Sequence, residues 1–288
     1  MRHEDFSFAS EDGLEIAYYR WRLPGRANAI VQIAHGMGEH ALRYAHVADF
    51  LNQAGYHVYA NDHRGHGRSV KSRESLGDFG TAGWNGLVAD MATLTRLART
   101  REGGLPVILL GHSMGSFAAQ QYVIDNSALI AGLVLSGSAA VDKLAIDPSQ
   151  EADLTAFNRA FEPARTQHDW LSRDPATVDA YEADPLCGFG INKRAMEAMA
   201  ASAGRLVDPA ALAGIRKDLP IYIFAGDKDP INHGLEWLKP LAERYRAAGI
   251  ANVSEKYYPE GRHEMLNEIN RDEVMRDLVG WLQKAIAK

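Results

Sequence analysis

Short hydrophobic runs recur along this 288-residue chain, each bounded by turn-forming residues. Such runs are typical of strands that are buried on both faces of a sheet. They predict strands at 29–34, 56–60, 107–110, 131–136 and 221–225, and we expect a further strand at 252–258. In front of this series, residues 6–23 alternate between polar and apolar positions and turn at "SEDG". This pattern predicts an antiparallel hairpin at the start of the fold.

Between these runs, apolar residues recur at every third or fourth position, as on a helix with one buried face. The periodicity predicts helices at 40–54 and 87–98. A stretch without helix breakers beyond its first turn predicts a helix at 114–126, and we expect further helices at 235–248 and from near Asn270. Asn270 and Glu273 have the spacing of a capping box, in which the two side chains bond backbone N–H groups of the first turn. Strands that alternate with helices predict the α/β class, a mostly parallel sheet with helices on both faces.

The alternation of strand and helix stops between residues 140 and 215. This segment is helical in character, with "ADLTAFNRAFEPART" and "NKRAMEAMAASAG" separated by a proline-containing stretch. We therefore expect two domains, a core formed by 1–139 and 216–288 and a helical insertion at 140–215. The methionines and phenylalanines of the insertion are interpreted as packing residues, without a role in a site.

Composition limits the classes of partner and of compartment. A content of 46% hydrophobic residues is enough for a large core, and the net charge is −6 without a dense Lys/Arg run. Neither nucleic acid nor an anionic membrane is therefore an expected partner.

Cys187 is the only cysteine, which excludes an internal disulfide and fits a reducing compartment. The N-terminal residues do not resemble a signal peptide and no apolar run approaches 18 residues, so we expect a cytoplasmic protein without stable membrane insertion. The oligomeric state stays open.

One motif between a predicted strand and a predicted helix has chemical meaning. The sequence "GHSMG" at 111–115 matches Gly-x-Ser-x-Gly, which by itself could be a flexible loop. A serine on a sharp turn from strand to helix is, however, lifted above the sheet, and glycines on both sides permit the close backbone approach that the turn needs. The context of Gly111, Ser113 and Gly115 therefore favours a nucleophile.

Three further loops follow the carboxyl ends of predicted parallel strands, where the reactive groups of such sheets converge. They are "HGMGEH", "GDKDP" and "EGRHEMLNE". A serine needs a base, and His263 is the histidine that lies between the last strand and the last helix. The acid that orients this histidine is Asp229 or Asp227, and Pro230 favours Asp229 because it fixes the turn. The order Ser, Asp, His is that of serine hydrolases on this type of sheet.

The tetrahedral intermediate of such a reaction needs two backbone N–H donors. We expect them from Met114, directly after the serine, and from Met37 in "HGMGEH", where Gly36 permits a close approach. His35 and the other loop histidines are interpreted as loop-shaping residues.

A metal or cofactor is not expected in this reaction. His63 and His66, with Asp62 beside them, could suggest a metal site. A catalytic zinc site usually has three protein ligands, however, and the sequence shows no recognisable third one. The chain also lacks a phosphate-binding glycine loop after a strand.

The motifs "HGMGEH", "NDHRGHGRS", "GHSMGS", "DPLC", "GDKDPI" and "GRHEMLNE", in this order, resemble α/β-hydrolases of the monoacylglycerol lipase and lysophospholipase group, which are also grouped with serine aminopeptidases. The resemblance implies an α/β-hydrolase fold with Ser113 as nucleophile, Asp229 as acid, His263 as base and the N–H groups of Met37 and Met114 as oxyanion hole. It also implies that 140–215 forms a cap over the site. Ser116 departs from the pattern, since many relatives have glycine there.

The expected function is hydrolysis of a lipid-like carboxylic ester, of the monoacylglycerol or lysophospholipid type, through an acyl-serine intermediate. The same triad could instead act on a peptide or thioester bond or transfer the acyl group to an alcohol. A non-catalytic receptor on this scaffold is a further alternative. Transient contact of the cap with membranes or micelles stays open, and Cys187 is interpreted as a packed cap residue.

Overall fold

The computed structural model describes residues 3–144, 147 and 149–287. Within these ranges the chain forms one sheet of eight strands in the order β1-β2-β4-β3-β5-β6-β7-β8. The strands are β1 (Glu4–Ala9), β2 (Glu15–Trp21), β3 (Ala29–Ala34), β4 (Tyr56–Asn61), β5 (Val107–His112), β6 (Gly132–Ser136), β7 (Ile221–Gly226) and β8 (Val253–Tyr258). β1 and β2 form the predicted antiparallel hairpin, and the six strands from β4 to β8 across the sheet are parallel. The predicted fold class is therefore confirmed.

Helices cover both faces of the sheet, as the alternating pattern predicts. They are α1 (Ala45–Gln53), α2 (Gly83–Arg101), α3 (Met114–Asn126), α4 (Pro175–Ala183), α5 (Lys193–Val207), α6 (Pro209–Ala213), α7 (Lys239–Ala247) and α8 (Arg271–Ile286). One face of the sheet packs with α2, α3 and α7, and the other packs with α1 and α8. β3, β5 and β7 are buried along their whole length, which explains their unbroken apolar sequences.

The segment between β6 and β7 contains α4, α5 and α6, where the sequence predicts a helical insertion. In its first part, Leu154–Phe161 forms a 3-10 helix. Pro163 follows closely and disfavours helical backbone in the residue before it, so the short segment cannot extend. The division into a core of 1–139 and 216–288 and a cap of 140–215 stays a prediction.

Two helix starts also differ from the sequence interpretation. The helix predicted at 235–248 begins at Lys239, because Pro240 is tolerated only in a first turn and Leu235 has a φ of 73°. The last helix begins at Arg271 as expected, but without the capping box. The Asn270 amide donates to the Glu273 carboxylate at 3.2 Å instead of accepting from the backbone. Among the described helices, none is long and apolar enough to cross a membrane.

Candidate active site

Ser113 occupies the turn between β5 and α3. Its φ of 52° and ψ of −122° are unusual for a residue with a side chain, and such strain costs on the order of 1–3 kcal/mol. The neighbouring glycines make the turn possible. A Cβ on Gly115 would lie 2.2 Å from the carbonyl oxygen of Ala34, and a Cβ on Gly111 would lie 2.6 Å from that of Gly115. Both glycines are therefore required by backbone contacts that leave no space for a side chain.

His263 follows β8 and pairs with Asp229, which follows β7. The His263 Nδ1 lies 2.9 Å from Asp229 Oδ2, and both residues are 1% exposed. The second Asp229 oxygen accepts the Ile231 N–H at 2.9 Å, which fixes the carboxylate. Burial lowers the pKa of His263, but the charge and hydrogen bond of Asp229 outweigh it, so the pKa is raised above its usual value.

The structure separates the two aspartates that the sequence leaves as candidates. Asp229 contacts His263, whereas Asp227 Oδ1 accepts the Glu260 N–H at 2.7 Å and so closes a turn between the two loops. Ser113 and His263 line the same cavity. The predicted serine, histidine and preferred aspartate thus come from three loops at one edge of the sheet.

Met37 and Met114 also line this cavity. The N–H groups on either side of Met37 are used within the loop. Gly36 donates to Glu39 Oε1 at 2.5 Å and Gly38 donates to His66 Nε2 at 3.3 Å. Met114 is the first residue of α3, and the N–H of a first helical residue has no partner inside its helix. Both residues thus lie on the cavity that Ser113 lines, and their role as oxyanion-hole donors stays a prediction.

His35 lies beneath this loop with two other buried histidines. Its Nε2 accepts the His63 N–H at 2.9 Å, its Nδ1 donates to the Gly36 carbonyl at 2.8 Å, and its ring centroid is 5.2 Å from that of His66. Burial lowers the pKa of both His35 and His66 to about 3, so the cluster is neutral. These histidines hold the backbone of the loop that carries Met37.

A buried ion cluster joins the Met37 loop to the His263 loop, and the sequence analysis missed it. Arg43 lies 2.5 Å from Glu39 Oε2 and binds both oxygens of Glu264 at 2.7 and 2.8 Å. Burial raises the pKa of each carboxyl group, but the Arg43 charge outweighs it and both pKa values are lowered. Two sequence features could have indicated this cluster: Glu264 directly follows His263, and Glu39 and Arg43 are four residues apart.

The segment 169–172, which we call the cap strap, binds the histidine loop through its backbone. The carbonyl of Trp170 accepts the His263 N–H at 3.4 Å, and that of Leu171 accepts the Glu264 N–H at 2.7 Å. Arg262 donates to the Asp169 carbonyl at 2.5 Å. The Trp170 ring also packs on His263, with centroids 4.8 Å apart. The cap strap therefore positions the imidazole, which no sequence pattern indicated.

The cavity beside Ser113 has a volume of about 470 Å³ and is mostly apolar. Its apolar lining comes from the core and from the cap segment, and includes Phe117, Leu154, Phe157, Met196, Met199 and Trp237. Phe157, Met196 and Met199 pack in the apolar core, as expected, and they also line the cavity. Helical periodicity cannot distinguish a residue that faces a core from one that faces a cavity.

Cys187 is half-buried and packs against the apolar core, as expected for a packed cap residue. Burial raises the pKa of its thiol. The thiol is therefore protonated at neutral pH, which argues against a reactive nucleophile.

Comparison with known proteins agrees with this geometry. The model of the family described as serine aminopeptidase, S33, matches residues 25–270. A monoacylglycerol lipase from Mycolicibacterium smegmatis is 33% identical over 96% of this chain and 96% of its own. The structure of a thermostable carboxyl esterase from Bacillus coagulans, in complex with glycerol, superposes with a TM-score of 0.89 at 29% identity and covers 100% of both chains.

A second solved structure extends the likeness to a more distant relative. The monoacylglycerol lipase of Paleococcus ferrophilus has a TM-score of 0.69 at 25% identity, covering 93% of this chain and 99% of its own. The resemblance stated from the motifs is confirmed, and with it the enzyme class. The chain belongs to the serine aminopeptidase S33 family and is an α/β-hydrolase of the monoacylglycerol lipase group, a serine hydrolase of the esterase and lipase type.

Proposed function

We propose that this enzyme hydrolyses fatty-acid esters of a small alcohol, of the monoacylglycerol or lysophospholipid type, through an acyl-Ser113 intermediate. The observation that carries the proposal is that Ser113, on its strained turn, lines one apolar cavity together with His263, which Asp229 orients. The names of the relatives, monoacylglycerol lipase and carboxyl esterase, support the same substrate class.

In the proposed mechanism His263 accepts the proton of the Ser113 hydroxyl as its oxygen attacks the ester carbonyl. The resulting oxyanion accepts hydrogen bonds from the N–H groups of Met37 and Met114, and each such donor contributes about 10²–10³ in kcat. The intermediate collapses, and His263 gives its proton to the leaving alcohol. A water molecule, activated by the same histidine, then hydrolyses the acyl-serine and releases the fatty acid.

The charges of the cavity favour a neutral alcohol over an anionic headgroup. Among the described lining residues, the ionised groups are carboxylates, and no lysine or arginine lines the cavity. These acids are Glu39, Asp147, Glu151, Asp153 and Glu264. Arg43 offsets the charges of Glu39 and Glu264, so a phosphate group would be repelled mainly by Asp147, Glu151 and Asp153. Within the proposed class we therefore favour monoacylglycerol over an anionic lysophospholipid.

The cellular setting stays a prediction. The charge pattern and the single cysteine support a cytoplasmic enzyme, and transient contact of the cap with a membrane or micelle is compatible with the apolar cavity. No cofactor is part of the proposed reaction. The cap division at 140–215 belongs to the same proposal, since α5 supplies Met196 and Met199 to the cavity.

A substrate panel tests the proposal. It contains monoacylglycerols of increasing acyl length, a zwitterionic and an anionic lysophospholipid, a thioester and a peptide amide, each with and without an acceptor alcohol. We expect the highest kcat/KM for a monoacylglycerol and stoichiometric labelling of Ser113 by a fluorophosphonate. Preferential turnover of the peptide or thioester, or acyl transfer in place of hydrolysis, would contradict the assignment. A folded protein that is not labelled would indicate a receptor.

A further inference from the structure

A group of side chains away from the reacting residues has the arrangement of a metal site. Within the ranges that the structure describes, His40, Asp184 and Cys187 are the residues whose potential ligand atoms all lie within 4.8 Å of one another. His40 Nε2 is 2.9 Å from Asp184 Oδ2. One ligand follows the Met37 loop, whereas the other two lie in the cap segment after α4. The group therefore joins two parts of the fold.

The backbone of 184–188 presents the two cap ligands on one side. The Cys187 N–H donates to the Asp184 carbonyl at 3.0 Å, closing a tight turn. Within this turn the Leu186 N–H donates to Asp184 Oδ1 at 2.8 Å, which leaves Oδ2 to face His40. The Gly188 N–H donates to the Gly38 carbonyl at 3.0 Å and so anchors the turn to the Met37 loop. Ligands separated by two residues on a tight turn are a recurring half of zinc sites.

Exposure and charge both permit a cation at this position. His40 is buried, whereas Asp184 and Cys187 are partly exposed and give a path from solvent. Arg43 lies close to the site, but it is paired with the two buried carboxylates Glu39 and Glu264. With the Asp184 carboxylate added, the acids outnumber the cation, so a divalent ion enters surroundings of net negative charge.

We propose that His40 Nε2, Asp184 Oδ2 and Cys187 Sγ bind one divalent ion of the zinc class. An imidazole, a carboxylate and a thiolate form a donor set that suits Zn²⁺ or Co²⁺ and disfavours Mg²⁺ and Ca²⁺. On binding, the thiol releases its proton to solvent and the imidazole proton moves to Nδ1. A water molecule completes a tetrahedral site. The ion joins the cap turn at Asp184 to the loop that carries Met37.

Titration with Co²⁺ tests the site without relying on activity. The full chain is used after removal of any affinity tag. We expect one Co²⁺ per chain with the intense visible bands of a tetrahedral ion and a thiolate charge-transfer band in the near ultraviolet, both displaced by Zn²⁺. We also expect affinity to rise with pH between about 6 and 8, because the ion competes with the thiol proton.

Two variants separate the site from adventitious binding. Cys187→Ser should abolish the charge-transfer band and weaken affinity by at least about tenfold, and Zn²⁺ should raise the Tm of the wild type but not of this variant. His233→Asn, which removes an exposed histidine, is the matched control and should bind as the wild type does. If Cys187→Ser does not fold, Asp184→Asn replaces it, with the same loss of affinity expected. A Co²⁺ spectrum without the thiolate band, or equal affinity in wild type and variant, would overturn the proposal.

Discussion

His263 shows how the fold adjusts a single residue for its proposed role. Burial in an apolar site opposes the charged form of an imidazole, yet the pKa of His263 is raised because the Asp229 carboxylate stabilises that form. The base works when it is neutral, so kcat/KM should rise with pH through this pKa, with a midpoint above the usual value of about 6.5.

Asp229→Asn should reverse the upward shift in the pKa of His263. Without the carboxylate, burial is the dominant effect, so the midpoint of the acid limb of kcat/KM should move below that of the wild type. The amide also disturbs the imidazole tautomer, and kcat should fall by on the order of 10⁴. The measurement is kcat/KM between pH 5 and pH 9 on a soluble ester.

Asp227→Asn is the matched control, because Asp227 closes a turn without contacting His263. Its pH profile should follow that of the wild type. A profile with the same midpoint in Asp229→Asn and in the wild type would show that Asp229 does not set the pKa of His263.

Single residues were predictable where a sequence pattern marks a position in the fold. Ser113 and Asp229 follow the buried strands β5 and β7, whose ends can be found from hydrophobic runs, and His263 follows the half-buried strand β8. Glu39 and Glu264 were not predictable in the same way. Charged residues usually lie in solvent, and only the folded chain brings these two together around Arg43 in the interior.

At the scale of elements, the cap strap at 169–172 links the cap segment to the loop of His263, the proposed general base. Its carbonyl groups accept N–H groups of His263 and Glu264, and the Arg262 side chain donates to the carbonyls of Asp169 and Ser172. In the proposed division of the chain, the cap thus holds the histidine loop in addition to covering the cavity. Displacement of the imidazole by about 1 Å can cost 10²-fold in rate.

Arg262→Ala should therefore lower kcat by about tenfold, since it removes the two side-chain hydrogen bonds from Arg262 to the strap. The measurements are kcat and KM on a soluble ester, together with the Tm. Arg205→Ala, which removes an exposed arginine of α5 that pairs with Asp125 away from the strap, is the matched control and should leave kcat unchanged. A lower Tm for Arg262→Ala with an unchanged kcat would show that the strap only stabilises the fold.

Element type was predictable where apolar residues recur at helical spacing, as for α1 and α2. Boundaries were not predictable where a local contact decided them. Pro240 places the start of α7 at Lys239, and the Asn270 amide turns to Glu273 instead of capping α8. In the cap segment, the apolar spacing of 154–161 indicates a helix but does not distinguish an α-helix from the 3-10 helix that forms there.

At the scale of the whole molecule, the cluster of Glu39, Arg43 and Glu264 connects elements that are distant in sequence. The folded-state pKa values of the two carboxyl groups lie below their values of about 4.3 in an unfolded chain. Their contribution to the free energy of unfolding is thus present above about pH 4.3 and is lost as the pH falls through the lower, folded pKa values.

Arg43→Met should destabilise the fold by about 3–5 kcal/mol at pH 7, because it leaves two buried carboxylates without their cation. It should also raise their pKa values, so that the acid-dependent loss of stability is displaced to higher pH. Urea unfolding between pH 8 and pH 3 measures both effects. Arg246→Met, which removes an exposed arginine, should follow the wild type, and parallel curves for Arg43→Met and the wild type would contradict the account.

The sheet and its layers were the most predictable part of the molecule. Buried parallel strands need continuous apolar sequence and the helices between them need one apolar face. The order of strands and helices can therefore be predicted from these two sequence patterns. The arrangement of the cap segment was not predictable in this way. It depends on contacts between distant residues, such as those of Trp170 with His263, for which no local period exists.

The central claim is that Ser113 forms the acyl-enzyme in this cavity. The most direct test is the rate of monoacylglycerol hydrolysis by Ser113→Ala, with circular dichroism and Tm to verify the fold. The account predicts that kcat falls by at least about 10⁴ while the fold is retained. Hydrolysis by the folded variant within tenfold of the wild-type rate would contradict it.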